Sequence, residues 1–208
     1  MHPLELPATW EVPSWAVAVV RPDGVAATAG DEGHRFPLAS VTKLLTALAA
    51  LVAVEEGAVG LDDPAGPPGA TVRHLLAHAA GYAFDGREPV AAPGRGRIYS
   101  NSGYEVLADH LADSTGIAFA DYLGEAVLAP LGASATTLDG TPAAGAAAPV
   151  ADVAALAAEL LAPGRVVAPE TLAEATSVQF PGLAGVVPGV GRMDPCDWGL
   201  GPELRGSK

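Results

Sequence analysis

The sequence is poor in cysteine, lysine and aromatic residues. These scarcities exclude an internal disulfide and a core built from aromatic side chains. Its one cysteine, Cys196, has no partner for an internal disulfide, which fits a reducing compartment. No activating neighbour accompanies Cys196, so we expect a plain thiol there. Lysine occurs only at Lys43 and Lys208. Aromatic residues make up 5% of a chain that is 50% hydrophobic, so small aliphatic side chains must fill the core.

Positive charge is scarce as well. Lys and Arg number 11 against 24 Asp and Glu, and the net charge is −13. Nucleic acids and anionic membranes are bound by clustered Lys and Arg, so we expect neither partner. Residues Met1 to Leu6 lack the basic stretch and apolar run of a signal peptide, and the apolar run from Leu44 to Val54 is too short to span a bilayer. We therefore expect a soluble, cytoplasmic protein that acts on a small-molecule substrate, and its oligomeric state stays open.

The order of the predicted elements is typical of an α+β fold. A valine-rich segment from Ser14 to Arg21, a turn signal at Pro22 to Gly24 and a return from Val25 to Ala29 predict a β-hairpin. A run of helices follows, and Trp198 to Gly201 is read as the start of another strand. A two-stranded hairpin is not stable alone, so the fold needs further strands beside it.

Helix-forming segments and breakers divide the middle of the chain. The segment from Ser40 to Gly57 is apolar nearly all round after its first turn, which predicts a helix in the centre of the protein. The segment from Tyr82 to Arg97 is expected to be irregular, and Thr141 to Ala148 to be flexible. The other predicted helices are Thr71 to Gly81 with Thr71 as cap, Ser102 to Ser114 with a capping box from Ser102 to Glu105, Ala118 to Leu128 ended by Pro130, Val150 to Leu161, and Pro169 to Ala175.

Ser40 and Lys43 form the first candidate catalytic pair. Residues three apart on a helix lie on one face, so the two side chains are expected to meet. A serine hydroxyl becomes a good nucleophile when a base takes its proton. A lysine in an apolar helix loses charge on burial, and its pKa falls toward the range of a base. The alternative is a surface lysine that extends its ammonium group into solvent.

Tyr99 and Asn101 form a second candidate element, in the loop before a helix. A tyrosine close to a lysine can relay protons if the positive charge lowers its pKa. An asparagine amide can bind a substrate carbonyl group and hold the lysine in place. The alternative is an ordinary turn with a packed tyrosine.

The two elements together resemble the serine β-lactamase-like family, in its branch of class C β-lactamases, D-alanyl-D-alanine carboxypeptidases and esterases. The similar segments span most of the chain in order: Phe36 to Lys43, Leu61 to Pro64, Thr71 to His78 followed by Gly81, Arg97 to Tyr104, and Leu128 to Gly132. The resemblance implies an antiparallel sheet flanked by helices, within a single domain over residues 1–208 whose part from 61 to 150 is a helical and loop subdomain. It implies a metal-free serine hydrolase with an acyl-enzyme intermediate on an ester, amide, D-alanyl peptide or β-lactam.

The resemblance also assigns roles. Ser40 is implied as the acylated nucleophile and Lys43 as the group that activates it. Tyr99 is implied to relay protons, and Asn101 to bind the acyl side chain and Lys43. The oxyanion hole is implied to use the backbone N–H of Ser40 and a second N–H from a later strand.

One part of the family pattern is missing from these 208 residues. The family's third motif, His-x-Gly or Lys-Thr/Ser-Gly, has no match, and the last residues, Arg205 to Lys208, do not fit it. Trp198 to Gly201 resembles the strand before that motif, so we expect the C-terminal strands to be absent or supplied by another chain. A catalytically inactive binding or scaffold protein on the same fold therefore stays open beside the enzyme.

Other chemistries find no support in the sequence. His74 and His78 have a zinc-like spacing of four, but Leu75 stands where a zinc protease has glutamate, so we interpret both as structural and expect no metal or cofactor. Neither the G-x-S-x-G motif of α/β-hydrolases nor a nucleotide-binding P-loop is present.

Overall fold

A computed structural model describes residues 4–206, which contain eight strands and seven α-helices in mixed order along the chain. The strands are β1 (Ala16–Arg21), β2 (Gly24–Gly30), β3 (Phe36–Pro37), β4 (Arg97–Ile98), β5 (Thr137–Leu138), β6 (Ala146–Ala148), β7 (Gly185–Val187) and β8 (Gly191–Met193). The helices are α1 (Thr42–Glu55), α2 (Val72–Leu76), α3 (Asn101–Thr115), α4 (Phe119–Leu123), α5 (Ala129–Leu131), α6 (Val150–Leu161) and α7 (Pro169–Ala175). The described residues do not include Met1 to Pro3 or the last two residues. The signal-peptide and third-motif expectations rest partly on those positions and so lie outside the described residues.

The strands form three small sheets. The predicted hairpin is confirmed, because β1 and β2 pair antiparallel from Ala16–Gly30 to Arg21–Gly24. Strand β6 pairs antiparallel with both β3 and β5, while β7 pairs antiparallel with β8 and parallel with β4. Helix α6 packs against both strands of the hairpin, so helices cover sheet surfaces as an α+β fold requires.

The centre of the protein is α1, as its apolar composition predicts. Leu45, Leu48 and Leu51 are almost completely buried, and the helix packs against α3 and α4. A hydrogen bond from Lys43 to Asn101 also joins the first turn of α1 to the start of α3. None of the helices in residues 4–206 is long and apolar enough to cross a membrane.

Two helix termini differ from the sequence prediction. The prediction of a capping box that starts at Ser102 is wrong. The N-cap of α3 is Ser100, whose side chain accepts a hydrogen bond from the Gly103 N–H. The prediction that Pro130 ends a helix is also wrong. A π-helical stretch, Gly124–Leu128, joins α4 to α5 without a break, so the helical backbone continues past Pro130 and ends at Leu131, before Gly132 with its left-handed φ of 72°.

Three further expectations fail in part. Helix α2 ends at Leu76, short of Gly81, and its N-cap residue Thr71 makes no capping hydrogen bond, because its hydroxyl pairs with His74 instead. The segment predicted as flexible contains the ordered strand β6. Trp198 to Gly201 starts no regular strand, although Trp198 forms an isolated bridge with Glu203.

Candidate active site

The Ser40 hydroxyl lies at the mouth of the central helix. A 3-10 turn, Ala39–Val41, leads directly into α1, and Ser40 is exposed there. Ala39, immediately before it, has a φ of 45°, a left-handed value that a residue with a Cβ seldom adopts. Such strain occurs often at functional sites, where the surrounding structure holds it in place. The turn thus presents Ser40 to solvent while α1 stays buried.

Lys43 is buried one turn behind Ser40. Its Nζ donates hydrogen bonds to Asn101 Oδ1 at 2.6 Å and to the Ala143 carbonyl at 3.0 Å, and it lies 3.5 Å from Ser40 Oγ. Burial lowers the pKa of Lys43 from 10.5 to about 8, while the charges of Asp85 and Glu105 oppose that shift. The alternative of a solvent-exposed surface lysine is therefore wrong, and a sizeable fraction of Lys43 is neutral near pH 8.

The loop before α3 and the first residue of that helix bring Tyr99 and Asn101 to the same nitrogen. Asn101 bridges Lys43 and Asp85, because its Nδ2 donates to Asp85 Oδ1 at 3.1 Å. The Lys43 Nζ lies over the Tyr99 ring, 4.7 Å from its centroid. The condition that the charge of Lys43 lower the pKa of Tyr99 is not met. Burial raises the pKa of Tyr99, and only a hydrogen bond with Ser40 opposes the rise.

Three other rings pack against the Tyr99 ring. Its ring centroid lies 4.5 Å from that of His78, 5.7 Å from Trp198 and 6.1 Å from Phe84. The backbone N–H of Ser100 donates to His78 Nδ1 at 3.1 Å, so the imidazole also fixes the loop. Burial, reinforced by the charge of Lys43, holds the pKa of His78 well below its usual value, and the ring stays neutral.

The two histidines of the zinc-like spacing point to different partners. His74 Nδ1 meets Thr71 Oγ1 at 2.9 Å, whereas His78 packs inside the aromatic cluster. Within residues 4–206 no group of three or more His, Cys, Asp or Glu side chains is placed to hold a metal ion.

Arg97 joins the segments that carry the site. Its buried guanidinium donates to the carbonyls of Cys196 at 2.6 Å and Gln179 at 2.8 Å, and also to that of Ala77. The Ala77 carbonyl immediately precedes His78, and the Cys196 carbonyl lies two residues before Trp198. Cys196 itself is buried, and burial raises the pKa of its thiol, in keeping with the plain thiol predicted.

An open cleft of about 410 Å³ lies in front of the serine. Its lining includes Ser40, Lys43, Tyr99, Trp198 and Glu203. A hydroxyl, an amine with a depressed pKa and a phenol thus line a space large enough for a small substrate, and the Asn101 amide holds the amine. Such a set can deprotonate the hydroxyl and move its proton.

The structure places all four sequence-predicted side chains together and adds residues that the sequence did not indicate. Ala143, in the segment read as flexible, contributes the carbonyl that accepts from Lys43, and Thr42 and Thr46 bind the backbone beside it. Asp85 comes from the loop before β4 and binds Asn101. These contacts join residues far apart in the chain, and no local pattern carries a signal for them.

Comparison with known proteins shows the family and fold to which the chain is similar. The family model described as Beta-lactamase matches residues 5–203. A solved structure of a β-lactamase from Mycobacterium bovis shares 54% identity and a TM-score of 0.95, over 99% of this chain and 76% of that one. A β-lactamase/D-alanine carboxypeptidase from Yersinia pestis, at 20% identity, shares the fold with a TM-score of 0.72 over 93% of this chain and 75% of that one.

A curated relative matches over a shorter stretch. Penicillin-binding protein 4* of Bacillus subtilis is 29% identical over 49% of this chain, and the match spans 30% of the length of that protein. The structural matches confirm the β-lactamase-like fold expected from the sequence. From the family match across almost all of its length, the chain belongs to the β-lactamase family.

Proposed function

We propose that this chain is a serine hydrolase that acts through an acyl-enzyme at Ser40 on a small ester, amide, D-alanyl or β-lactam substrate. The observation that carries the proposal is the position of Lys43 Nζ, buried and 3.5 Å from Ser40 Oγ, with its pKa lowered to about 8. A neutral amine at that distance can take the hydroxyl proton as the oxygen attacks.

In the acylation step, Ser40 Oγ bonds to the substrate carbonyl carbon and its proton moves to Lys43. The proton then passes by way of the Tyr99 hydroxyl to the leaving alcohol or amine, as the bond between that group and the acyl carbon breaks. The partners support this route, because Ser40 and Tyr99 line the same cleft, the Ser40 hydroxyl opposes the rise that burial causes in the pKa of Tyr99, and Lys43 Nζ lies over the Tyr99 ring. The Ser40 N–H serves as one donor to the oxyanion.

In the deacylation step, water attacks the Ser40 ester and gives its proton back through the same groups. The carboxylic acid is released and Ser40 recovers its hydrogen, so the enzyme is unchanged. Asn101 holds the Lys43 nitrogen in place throughout, and its amide faces the acyl side chain.

Covalent labelling tests this proposal. The chain is incubated separately with a fluorophosphonate probe, a fluorescent penicillin and an activated ester, and compared with Ser40→Ala. Ser134→Ala, which removes another exposed serine hydroxyl, is the matched control. We expect labelling of the parent and of Ser134→Ala and none of Ser40→Ala. If none of the three probes labels the parent, the chain is instead an inactive binding or scaffold protein on this fold.

A further inference from the structure

Asp85 fixes the orientation of the Asn101 amide. A carboxylate only accepts hydrogen bonds, so Asn101 must turn Nδ2 toward Asp85, at 3.1 Å, and leave Oδ1 for the donor Lys43, at 2.6 Å. Rotating the amide by half a turn would set its oxygen against the carboxylate and break both contacts. Asp85 is therefore part of the site although it is distant in sequence from Ser40.

The backbone holds Asp85 at this place. The Asn101 N–H donates to the Phe84 carbonyl at 2.7 Å, and Ser100 Oγ donates to the Ala83 carbonyl at 2.6 Å. The Phe84 ring stacks on Tyr99 and leaves 42% of its surface exposed. Hydrogen bonds to two carbonyls thus join the backbone just before Asp85 to Ser100 and Asn101, and they place the Asp85 carboxylate within reach of the Asn101 amide.

The charges around the serine are mostly negative. Asp85 and Glu105 both act on Lys43, and Glu203 lines the cleft. Glu203 is paired with Arg205 at 2.8 Å, whereas in residues 4–206 no Lys, Arg or His lies within ion-pair distance of Asp85. Asp85 is exposed, so a bound group can reach its second carboxylate oxygen.

We propose that Asp85, exposed beside the Asn101 amide that binds Lys43, selects cationic acyl groups, so that esters and amides whose acyl group carries an ammonium acylate Ser40 faster than neutral or anionic ones. The proposal rests on the proposed function, because Ser40 must be acylated for the acyl group to be held beside Asn101. The ammonium donates to Asp85, and the exposed Phe84 ring offers a face for the same cation. An anionic acyl group meets repulsion from Asp85 instead.

The size of the effect follows from the exposure of Asp85. Exposed ion pairs are worth up to about 1 kcal/mol, so we expect a preference of about fivefold for a cation over its neutral isostere. Salt screens such pairs, and the preference is expected to shrink in high salt.

Three isosteric p-nitrophenyl esters test the inference: 6-aminohexanoate with a cationic end, heptanoate with a neutral end and the heptanedioate monoester with an anionic end. Second-order acylation rates are measured near pH 7 at low and high salt for the parent, for Asp85→Asn and for Asp23→Asn. Asn keeps the oxygen that accepts from Asn101 but removes the charge. Asp23, in the hairpin turn, is the control carboxylate.

We expect the order cationic, neutral, anionic for the parent and for Asp23→Asn, and rates that differ little among the three esters for Asp85→Asn. Equal rates for the three esters on the parent, or an order that persists in Asp85→Asn, would overturn the inference while leaving Ser40 acylation intact. If no ester acylates Ser40, the proposed function itself fails, and the inference fails with it.

Discussion

Lys43 donates a 2.6 Å hydrogen bond to Asn101 Oδ1, although 58 positions separate the two residues in the chain. The same nitrogen donates to the Ala143 carbonyl at 3.0 Å, so two fixed acceptors position it beside Ser40. A protonated amine has a third hydrogen to direct at the serine oxygen, and a neutral amine has a lone pair instead. The geometry therefore suits a nitrogen that alternates between the two protonation states.

Replacing Lys43 tests whether a base is needed there. We expect Lys43→Met to slow acylation by about 10²- to 10⁴-fold, the usual contribution of a general base. Lys43→Arg keeps the positive charge but cannot be deprotonated near neutral pH, so it should be equally slow. Stopped-flow acylation with an activated ester measures both variants, and thermal unfolding shows whether they remain folded. An arginine variant with nearly full activity would mean that the charge and not the base is required.

The pH dependence follows from the lowered pKa of Lys43. The neutral amine is the reactive form, so its fraction and the acylation rate should rise about tenfold from pH 6 to pH 7 and level off above about pH 8. Since Asp85 raises the pKa of Lys43, Asp85→Asn should move this rise to lower pH.

Acylation kcat/KM measured between pH 5.5 and pH 9.5 checks both expectations. Glu170→Gln, which alters an exposed carboxyl in α7, is the control and should leave the profile in place. A parent rate that is flat between pH 6 and pH 8 would contradict the assignment of Lys43 as the base.

Tyr99→Phe separates the hydroxyl from the ring. The ring contacts with His78, Trp198 and Phe84 remain, so the melting temperature should change little, while acylation should slow by about 10²-fold or more. Tyr122→Phe is the matched control, because its hydroxyl donates to Glu56 and not to a candidate site residue. Equal activity of the two variants would remove Tyr99 from the proton route.

Arg97→Leu tests the link between the loops behind the site. The change leaves three carbonyls without their donor, and each unsatisfied buried group costs about 1–3 kcal/mol. We expect the free energy of unfolding to fall by about 3 kcal/mol or more. Urea denaturation measures this loss, and Arg21→Leu, at the exposed end of β1, should stay within about 0.5 kcal/mol of the parent. A similar small effect for both variants would show that the three carbonyls find other donors.

Local patterns were sufficient for part of the fold. The hairpin, α6 and α7 form where composition predicts them, because an alternating valine-rich run or a continuous run of helix formers decides the local conformation. Strand β6 could not be predicted in this way. Its three alanines have low strand propensity, and pairing with β3 and β5 imposes the extended conformation.

In the candidate site, too, some contacts follow from local sequence and others only from tertiary folding. Ser40 and Lys43 meet because they lie one helical turn apart, and their spacing of three residues in the sequence is enough to predict this. Asp85 and the Ala143 carbonyl reach Lys43 or its partner only through tertiary folding. The pKa of Tyr99 is raised because burial outweighs the hydrogen bond with Ser40, and burial of a loop residue cannot be read from its neighbours in sequence.

Mass spectrometry of the acylated chain tests the central claim most directly. The chain is treated with a slowly hydrolysed activated ester, its intact mass is recorded, and the adduct is mapped by tandem mass spectrometry. We predict one acyl group per chain on Ser40, and much slower formation of that adduct in Lys43→Met at the same pH. An adduct on another residue, or the same mass shift in Ser40→Ala, would contradict the account.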